Sequence, residues 1–473
     1  MTKTRHSPNC LPGKCPWVLR VGVFFDGTGN NKVNDFPKNK VSNIAKLSEL
    51  YERKDDEKQL IKHHMIYKNG VGTVDYGENE LAGLSLGEGG IERVHEAIND
   101  VAKFFDETPC AKEFIVDVFG FSRGAAQARH FVNELHDRAA GPDVKVGFVG
   151  LFDTVASFAL DYWGLAGYED GSGVRDGAGD NINRYEVREY RGTRRQVVNP
   201  LDGMEIEAPY YVDIIQPFNF HLSGDSADEI EQFVARDEIR ENFPLTSLEP
   251  RSGARIREKS YIGVHSDIGG GYSNEDDAIV ENYIVKIKTL RRTYYSLETK
   301  EHLTTSELEQ IKTEYEKLGY TLSEKQRGLD TWLYGTKNVR KELSNVYLRY
   351  MYQKALLTGV PFTSLPSDVE HDIPDDLRDY AESVFNSEPF PVDGEQDIYA
   401  KYVHQSYVEA EDRNSVLRVK AHFADRANVP ESNRERTVYP NEPHLAVIPE
   451  ANDNPNEVGS QIDTDHLSSR NDS

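Results

Sequence analysis

From residue 18 the chain alternates short apolar runs with amphipathic stretches. LRVGVFFDG is an apolar run ending in a glycine-containing turn, SNIAKLSELYE has helical spacing behind a Ser/Asn start, and KHHMIYKNGVG reads as a second strand. In IERVHEAINDVAKFFDE the apolar residues Ile91, Val94, Ile98, Val101 and Phe105 make a helical stripe. FIVDVFG and KVGFVGLFDTVAS supply a third and a fourth strand. Strands and helices taking turns in this way predict a mainly parallel sheet flanked by helices on both faces.

Beyond residue 160 the alternation loosens. Gly and Asp dominate between Gly164 and Arg184, a surface-loop composition. YYVDIIQPFNFHL and YIGVHSDIGGGY read as two more strand-like runs, and DEIEQFVARDEIRENF between them has helical spacing. From residue 277 to 360 Lys, Glu, Leu and Tyr recur with helical periodicity, as in ENYIVKIKTLRRTYYSL and ELEQIKTEYEKL. That spacing is not sustained over three or four heptads, so it predicts a helical insertion rather than a coiled coil. The C-terminal stretch is polar and poor in aromatics, which predicts a disordered tail. The expected organisation is an N-terminal arm (1–17), an α/β domain (18–276), a mainly helical subdomain packed on it (277–425) and the tail (426–473).

Composition narrows the function classes. A chain of 473 residues exceeds what one compact core organises, so insertions or further domains are expected. A net charge of −25 opposes a groove that tracks nucleic acid, which needs clustered Lys and Arg, and suits a basic partner. No window approaches ~18 consecutive apolar residues. MTKTRHSPNCLPGKCPWVLR lacks the apolar core of a signal peptide, so synthesis in the cytoplasm is expected, with any export by a machine that ignores Sec-type signals. Cys10, Cys15 and Cys110 make neither a disulfide framework nor a four-ligand zinc site. Cys10 and Cys15 read as reduced thiols, with a pair or a metal ligand set as the alternative.

Two pentapeptides match Gly-x-Ser-x-Gly: Gly83 to Gly87 around Ser85, and Gly120 to Gly124 around Ser122. A nucleophile elbow needs a strand entering the turn and a helix leaving it, which projects the serine beyond the sheet's carboxyl edge. Ser122 has both, with FIVDVFG before it and RGAAQARHFVNEL after it. Ser85 lies between polar GENELA and GEGG and reads as a loop residue. In an α/β-hydrolase the elbow strand comes two βα units after the strand whose loop donates an oxyanion amide, and LRVGVFFDG stands in that relation. The loop from Asp26 to Asn31 is therefore placed to offer the Gly27 and Thr28 amides beside that of Arg123. Without a Gly-Lys-Ser/Thr ending or a third glycine it is neither a phosphate loop nor a dinucleotide fingerprint. A plain structural turn is the alternative.

A hydrolase serine needs a histidine base and an acid to orient it, in the chain order Ser, Asp or Glu, His. Asp153 ends the strand GFVGLF, and His265 lies in YIGVHSDIGGGY. Asp153 could instead cap a helix, and His265 could instead be a loop histidine bonded to Asp267. Asp267 is the rival acid and His404, in YVHQSYVEA, the backup base; Asp26 is a supporting candidate. His63, His64, His130 and His221 suit core or surface roles, and Glu275-Asp276-Asp277 does not match calcium-loop spacing.

VGVFFDGTGNN, FIVDVFGFSRGAAQARHF, GLFDTVASF, VARDEIRENF, YIGVHSDIGGGY and LSNVYLRYMYQKALLTGVPF, in this order, resemble the type VI secretion phospholipase effectors and their α/β-hydrolase relatives. The resemblance runs from residue 20 to 362, and to 410 if YVHQSY is counted. It implies a lipase-type triad of Ser122, Asp153 and His265 and a phospholipase A-type attack on membrane glycerophospholipids. It further implies delivery into a neighbouring bacterium's periplasm, a secretion-spike partner and an immunity protein guarding the producer. Such chemistry requires no metal or organic cofactor. A soluble carboxylesterase or thioesterase on small acyl groups, and a non-catalytic binding module on the hydrolase scaffold, are the alternatives. FALDYWGLAGY reads as a lid or bilayer-facing element, or equally as a packing helix.

Overall fold

A computed structural model describes residues 16–76, 90–138, 144–156, 184–198, 205–274, 279–288, 293–299, 301–327, 330–407, 430 and 433–441. The Ser85 pentapeptide, FALDYWGLAGY, Cys10, Cys15, Glu275-Asp276-Asp277 and most of the expected tail lie outside the described residues.

The first half of the chain gives β1 (Val18–Phe25), α1 (Lys32–Asp35), α2 (Asn43–Leu50), β2 (Ile61–Lys68), α3 (Gly90–Glu107), β3 (Glu113–Phe121), α4 (Arg123–Arg138) and β4 (Val144–Phe152). An antiparallel ribbon, β5 (Arg184–Val198) and β6 (Glu205–Pro217), precedes β7 (Glu229–Ala235), the short β8 (Leu245–Thr246), β9 (Ile256–Tyr261) and the short helix α5 (His265–Gly269). Six of these strands form one sheet in the order β2-β1-β3-β4-β7-β9, and every neighbouring pair is parallel. This is the alternation the sequence predicts.

The strands read as nearly continuous apolar runs because both faces of the sheet are covered. Leu19, Val21, Val23 and Phe25 of β1, with Val116 and Val118 of β3, pack against Val94, Ala97 and Val101 of α3 and Phe131 of α4. The opposite face carries Phe24, Phe119, Phe148 and Phe233, and meets Ile44 and Leu47 of α2. The elbow glycines are required by contact. A Cβ on Gly120 would stand 2.5 Å from the Ala125 Cα and the Gly124 carbonyl, and one on Gly124 would stand 2.3 Å from the Phe25 carbonyl oxygen. Only hydrogen at these positions lets α4 leave β3 so steeply and lie against the end of β1.

Two stretches with helical spacing are strands. In DEIEQFVARDEIRENF, Glu231 and Gln232 mimic the polar face of a helix, yet both are buried inside β7. They are satisfied there by Arg257 Nε at 2.6 Å from Glu231 Oε1, and by the Thr246 carbonyl and Glu258 on Gln232 Nε2. ENYIVKIKTLRRTYYSL holds most of β10 (Ile279–Lys288) and all of β11 (Thr293–Ser296) of a five-stranded antiparallel sheet, with β12 (His302–Leu303), β13 (Thr321–Arg327) and β14 (Asp330–Asn338). A bulge between Tyr283 and Val285 inserts one residue, so buried Val280, Ile284 and Ile287 fall three and four apart. ELEQIKTEYEKL does form a helix, α6 (Thr305–Lys317), behind a Thr304 cap.

The helices that follow, α7 (Leu343–Leu357), α8 (Arg378–Asn386) and α9 (Val392–Lys401), belong to the core of the parallel sheet. Val346, Leu348 and Met351 of α7 pack in the same cluster as Phe24 and Phe119. The expected boundary at 276 therefore does not close the hydrophobic core. Part of the expected tail is also ordered, since β15 (Val438–Tyr439) pairs in parallel with β8.

Gly124→Ala is expected to destabilise the fold by about 1–3 kcal/mol, because the new methyl meets backbone and cannot be relieved by a side-chain rotation. Urea unfolding checks this, and stability equal to wild type would contradict the contact.

Candidate active site

The carboxyl ends of β1, β3, β4, β7 and β9 lie together because register aligns them: Phe25 pairs with Gly120, Phe121 with Phe152, Phe152 with Phe233, and Ala235 with Tyr261. Ser122 follows immediately, in a left-handed conformation at φ 59°. A non-glycine residue held there is strained and persists only when its surroundings fix it. The surroundings do so: the Ser122 N–H donates to the Phe152 carbonyl at 3.0 Å, and its carbonyl accepts from the Ala125 and Val155 amides at 3.0 and 3.3 Å.

Asp153, one residue past β4, also has positive φ, at 44°, and is fully buried. Its Oδ2 lies 2.5 Å from His265 Nδ1, while its Oδ1 accepts the Ala235 N–H at 2.9 Å. Arg436 forks onto the same carboxylate, at 2.7 Å to Oδ1 and 2.9 Å to Oδ2. Burial alone would raise the Asp153 pKa, but the Arg436 charge and the His265 hydrogen bond outweigh it and hold the carboxyl well below the usual range. His265 opens α5, not the strand the sequence suggests, and its ring lies 4.6 Å from that of Phe121 and 5.0 Å from that of Phe243. Burial lowers the imidazole pKa and the bond to Asp153 only partly restores it, so His265 is neutral at pH 7, with Nδ1–H directed at Asp153. Beside it stand Glu238, which accepts the His265 N–H at 3.3 Å, and Arg240, bonded to Glu238. Burial pushes Glu238 up, the Arg240 charge pulls harder, and the result is about 2.

The loop after β1 meets the elbow through side chains. Arg123 Nε donates to Thr28 Oγ1 at 2.5 Å, and α4 begins at Arg123. The Gly27 N–H is committed, however, to Asp26 Oδ1 at 2.7 Å. The Thr28 N–H has no partner among the described residues. Asp26 is itself buried and also accepts from Ser42 Oγ at 2.8 Å and Tyr67 Oη at 2.5 Å, so it ties this loop to the cap of α2 and to β2.

Asp267 does not face His265. It accepts His404 Nδ1 at 2.6 Å, the His404 N–H at 3.1 Å and the Val264 N–H at 3.0 Å. His404 is buried against the Tyr272 ring at 3.8 Å. The remaining histidines have other partners: His63 the Lys54 carbonyl, His64 the Phe104 ring, His130 the Asn219 amide and His221 the Asn441 carbonyl. Glu238 and Arg240 were within reach of sequence reasoning, because VARDEIRENF is one of the stretches that carry the family resemblance. Nothing in ESNRERTVYP marks Arg436.

A parallel sheet of this order, with a strained serine and a buried Asp–His pair at its carboxyl edge, defines an α/β-hydrolase. A family model described as the type VI secretion phospholipase effector Tle1-like catalytic domain matches residues 20–138 and 130–292, and the chain belongs to that family. The solved structure of the Tle1 effector bound to the VgrG spike of the type 6 secretion system is 20% identical, with a TM-score of 0.58, over 90% of this chain and 94% of that chain. An uncharacterized protein from Pseudomonas aeruginosa is 18% identical, with a TM-score of 0.45, over 82% of this chain and 52% of that one. No curated protein matches. Among the described residues no helix is long and apolar enough to cross a membrane.

Burial raises the Asp26 pKa from 3.8 to about 6 against the pull of its three donors. The fold thus binds this proton more tightly than the unfolded chain does, and that stability is complete below pH 3.8 and lost as pH rises through about 6. Asp26→Asn cannot titrate, so its stability relative to wild type is expected to increase with pH across that window. Urea unfolding at several pH values measures the difference, and one that stays constant would contradict the assignment.

Proposed function

We propose that this protein is a serine phospholipase in which Ser122, Asp153 and His265 form the triad, acting on acyl esters of membrane glycerophospholipids. The observation that carries the reading is the buried Asp153–His265 pair, 2.5 Å apart, on the strand end that bonds the backbone of Ser122. His265, kept neutral by burial and in one tautomer by Asp153, takes the Ser122 proton through Nε2 as Oγ attacks the acyl carbonyl. The alkoxide of the tetrahedral intermediate rests on the Thr28 and Arg123 amides at the start of α4, where the helix dipole favours negative charge. The Gly27 amide shapes the loop through Asp26 and is not an oxyanion donor. Collapse passes the proton from His265 to the departing lysophospholipid oxygen. Water deprotonated by the same imidazole then releases the fatty acid from Ser122.

Family membership supports delivery by type VI secretion into a target cell's periplasm as an antibacterial toxin. The relative's complex with a VgrG spike supports a spike protein as carrier. The net charge of −25 suits a basic surface on that carrier or on an immunity protein.

Ser122→Ala and His265→Ala are each expected to lower turnover on the order of a millionfold. The readout is mass spectrometry of products from mixed phospholipid vesicles. Activity retained in both variants would remove the triad. Activity on short-chain esters with none on vesicles would make the protein a soluble esterase, and a wild type that a fluorophosphonate probe fails to label would make it a binding module. Because burial holds His265 below its ordinary 6.5, the acidic limb of kcat/KM is expected below pH 6.5, and a limb above that value would contradict a neutral buried base.

A further inference from the structure

Arg436 reaches the Asp153 carboxylate from 283 residues away in sequence, and from well outside the stretch the family model matches. Its side chain is 8% exposed and all of its donor nitrogens are used: Nε on the Phe243 carbonyl at 2.7 Å, Nη1 and Nη2 on the two oxygens of Asp153. The segment that carries it is stitched down along its length. Leu245 N–H donates to the Thr437 carbonyl, Ser247 N–H to the Tyr439 carbonyl, and Asn441 N–H to the Glu249 carbonyl. Asn441 Oδ1 also accepts from Arg129, the fully buried arginine of the elbow helix α4.

We propose that Arg436 is a positioning residue that sets the basicity of His265 through Asp153, so that the site is complete only when the 433–441 strap is docked. The proposal rests on the triad reading above. Two effects follow from the fork. Its planar geometry fixes the plane of the carboxylate, which aims Oδ2 at His265 Nδ1. Its charge opposes the imidazolium that Asp153 would otherwise stabilise without competition. The other charged groups facing His265 are Glu238 and Arg240, which are bonded to each other and act on the imidazole with opposite sign, while Asp267 is turned to His404. Arg436 is the cation bonded directly to the pair, with both terminal nitrogens on the Asp153 carboxylate.

The test compares wild type, Arg436→Gln and Arg436→Lys on phospholipid vesicles and a soluble short-chain ester across pH, with the His265 titration followed by NMR. In Arg436→Gln the acidic limb of kcat/KM and the His265 titration are expected to move upward by about 1 pH unit, the effect of one nearby charge in a partly screened site. Its kcat is expected to fall roughly tenfold, with KM little changed, through the loss of the charge-assisted fork. Arg436→Lys keeps the charge without the fork, so its limb stays at the wild-type position while kcat is reduced. A role in folding alone would lower the fraction of folded, active protein and leave the pH profile where it was, and that result would overturn the proposal. So would a Lys variant displaced as far as the Gln variant. Should the Gln variant not fold, the Lys variant decides: an unmoved titration with lower kcat supports the proposal, and a displaced titration overturns it. If the wild type hydrolyses nothing, the hydrolase reading fails, and the NMR titration alone still decides whether Arg436 sets the His265 basicity.

Discussion

A carboxylate without solvent exposure stays ionised only when its environment replaces the water it has lost, and the site is organised around that requirement at Asp153. Four donors meet it: the Ala235 amide, His265 Nδ1 and both terminal nitrogens of Arg436. They come from the end of β7, the first turn of α5 and the strap near the C-terminus, so three remote parts of the chain must be in place before the acid is satisfied. Two of them, β7 and the strap, are bound there in turn by backbone pairing, since Asp153 N–H donates to the Phe233 carbonyl and Leu245 N–H to that of Thr437. The ionised acid is thus a product of the whole fold rather than of a local motif.

The serine depends on the same strand end. Ser122 is bonded to the carbonyl of Phe152, the residue before Asp153, so the strained turn of the proposed nucleophile and that of the acid share one backbone junction. The helix that leaves the turn lies against the end of β1 because Gly124 has no side chain, and this brings the Thr28 loop to Arg123. Asp26 then fixes the loop by drawing Gly27, Ser42 and Tyr67 onto one carboxylate. Backbone strain at the proposed reacting centre is offset by hydrogen bonds one layer away.

Much of this was legible in the chain. The strand and helix around Ser122, the loop two units upstream and the order of Asp153 and His265 follow from period, turn chemistry and motif context, because those features are local. What misled was local as well. Glu231 and Gln232 look like a solvent-facing stripe until Arg257, Thr246 and Glu258 are brought to them, and the bulge in β10 turns a period of two into spacings of three and four. Arg436 was illegible for a different reason. A polar stretch with no apolar period gives no sign of pairing with β8, because its stability comes from backbone bonds and from the buried polar side chains of Arg436 and Asn441, not from apolar ones.

Two buried Asp–His pairs stand among the described residues, and their surroundings separate their roles. Asp153–His265 touches the elbow through Phe121 and carries a positive φ and a cation on the acid. Asp267–His404 has instead the bonding of a clamp: the Asp267 carboxylate takes the Val264 amide at the start of α5, and the His404 amide and ring at the end of the helical segment. Its geometry ties the turn that presents His265 to α9, whose neighbours build one face of the sheet's core. Rigidity at His265 is thereby drawn from residues beyond 340, and the catalytic histidine proposed here is positioned by the part of the chain that sequence alone assigned to a separate subdomain. A proton carrier has to return to the same place in both half-reactions, and a first helical turn of five residues cannot hold that place unaided.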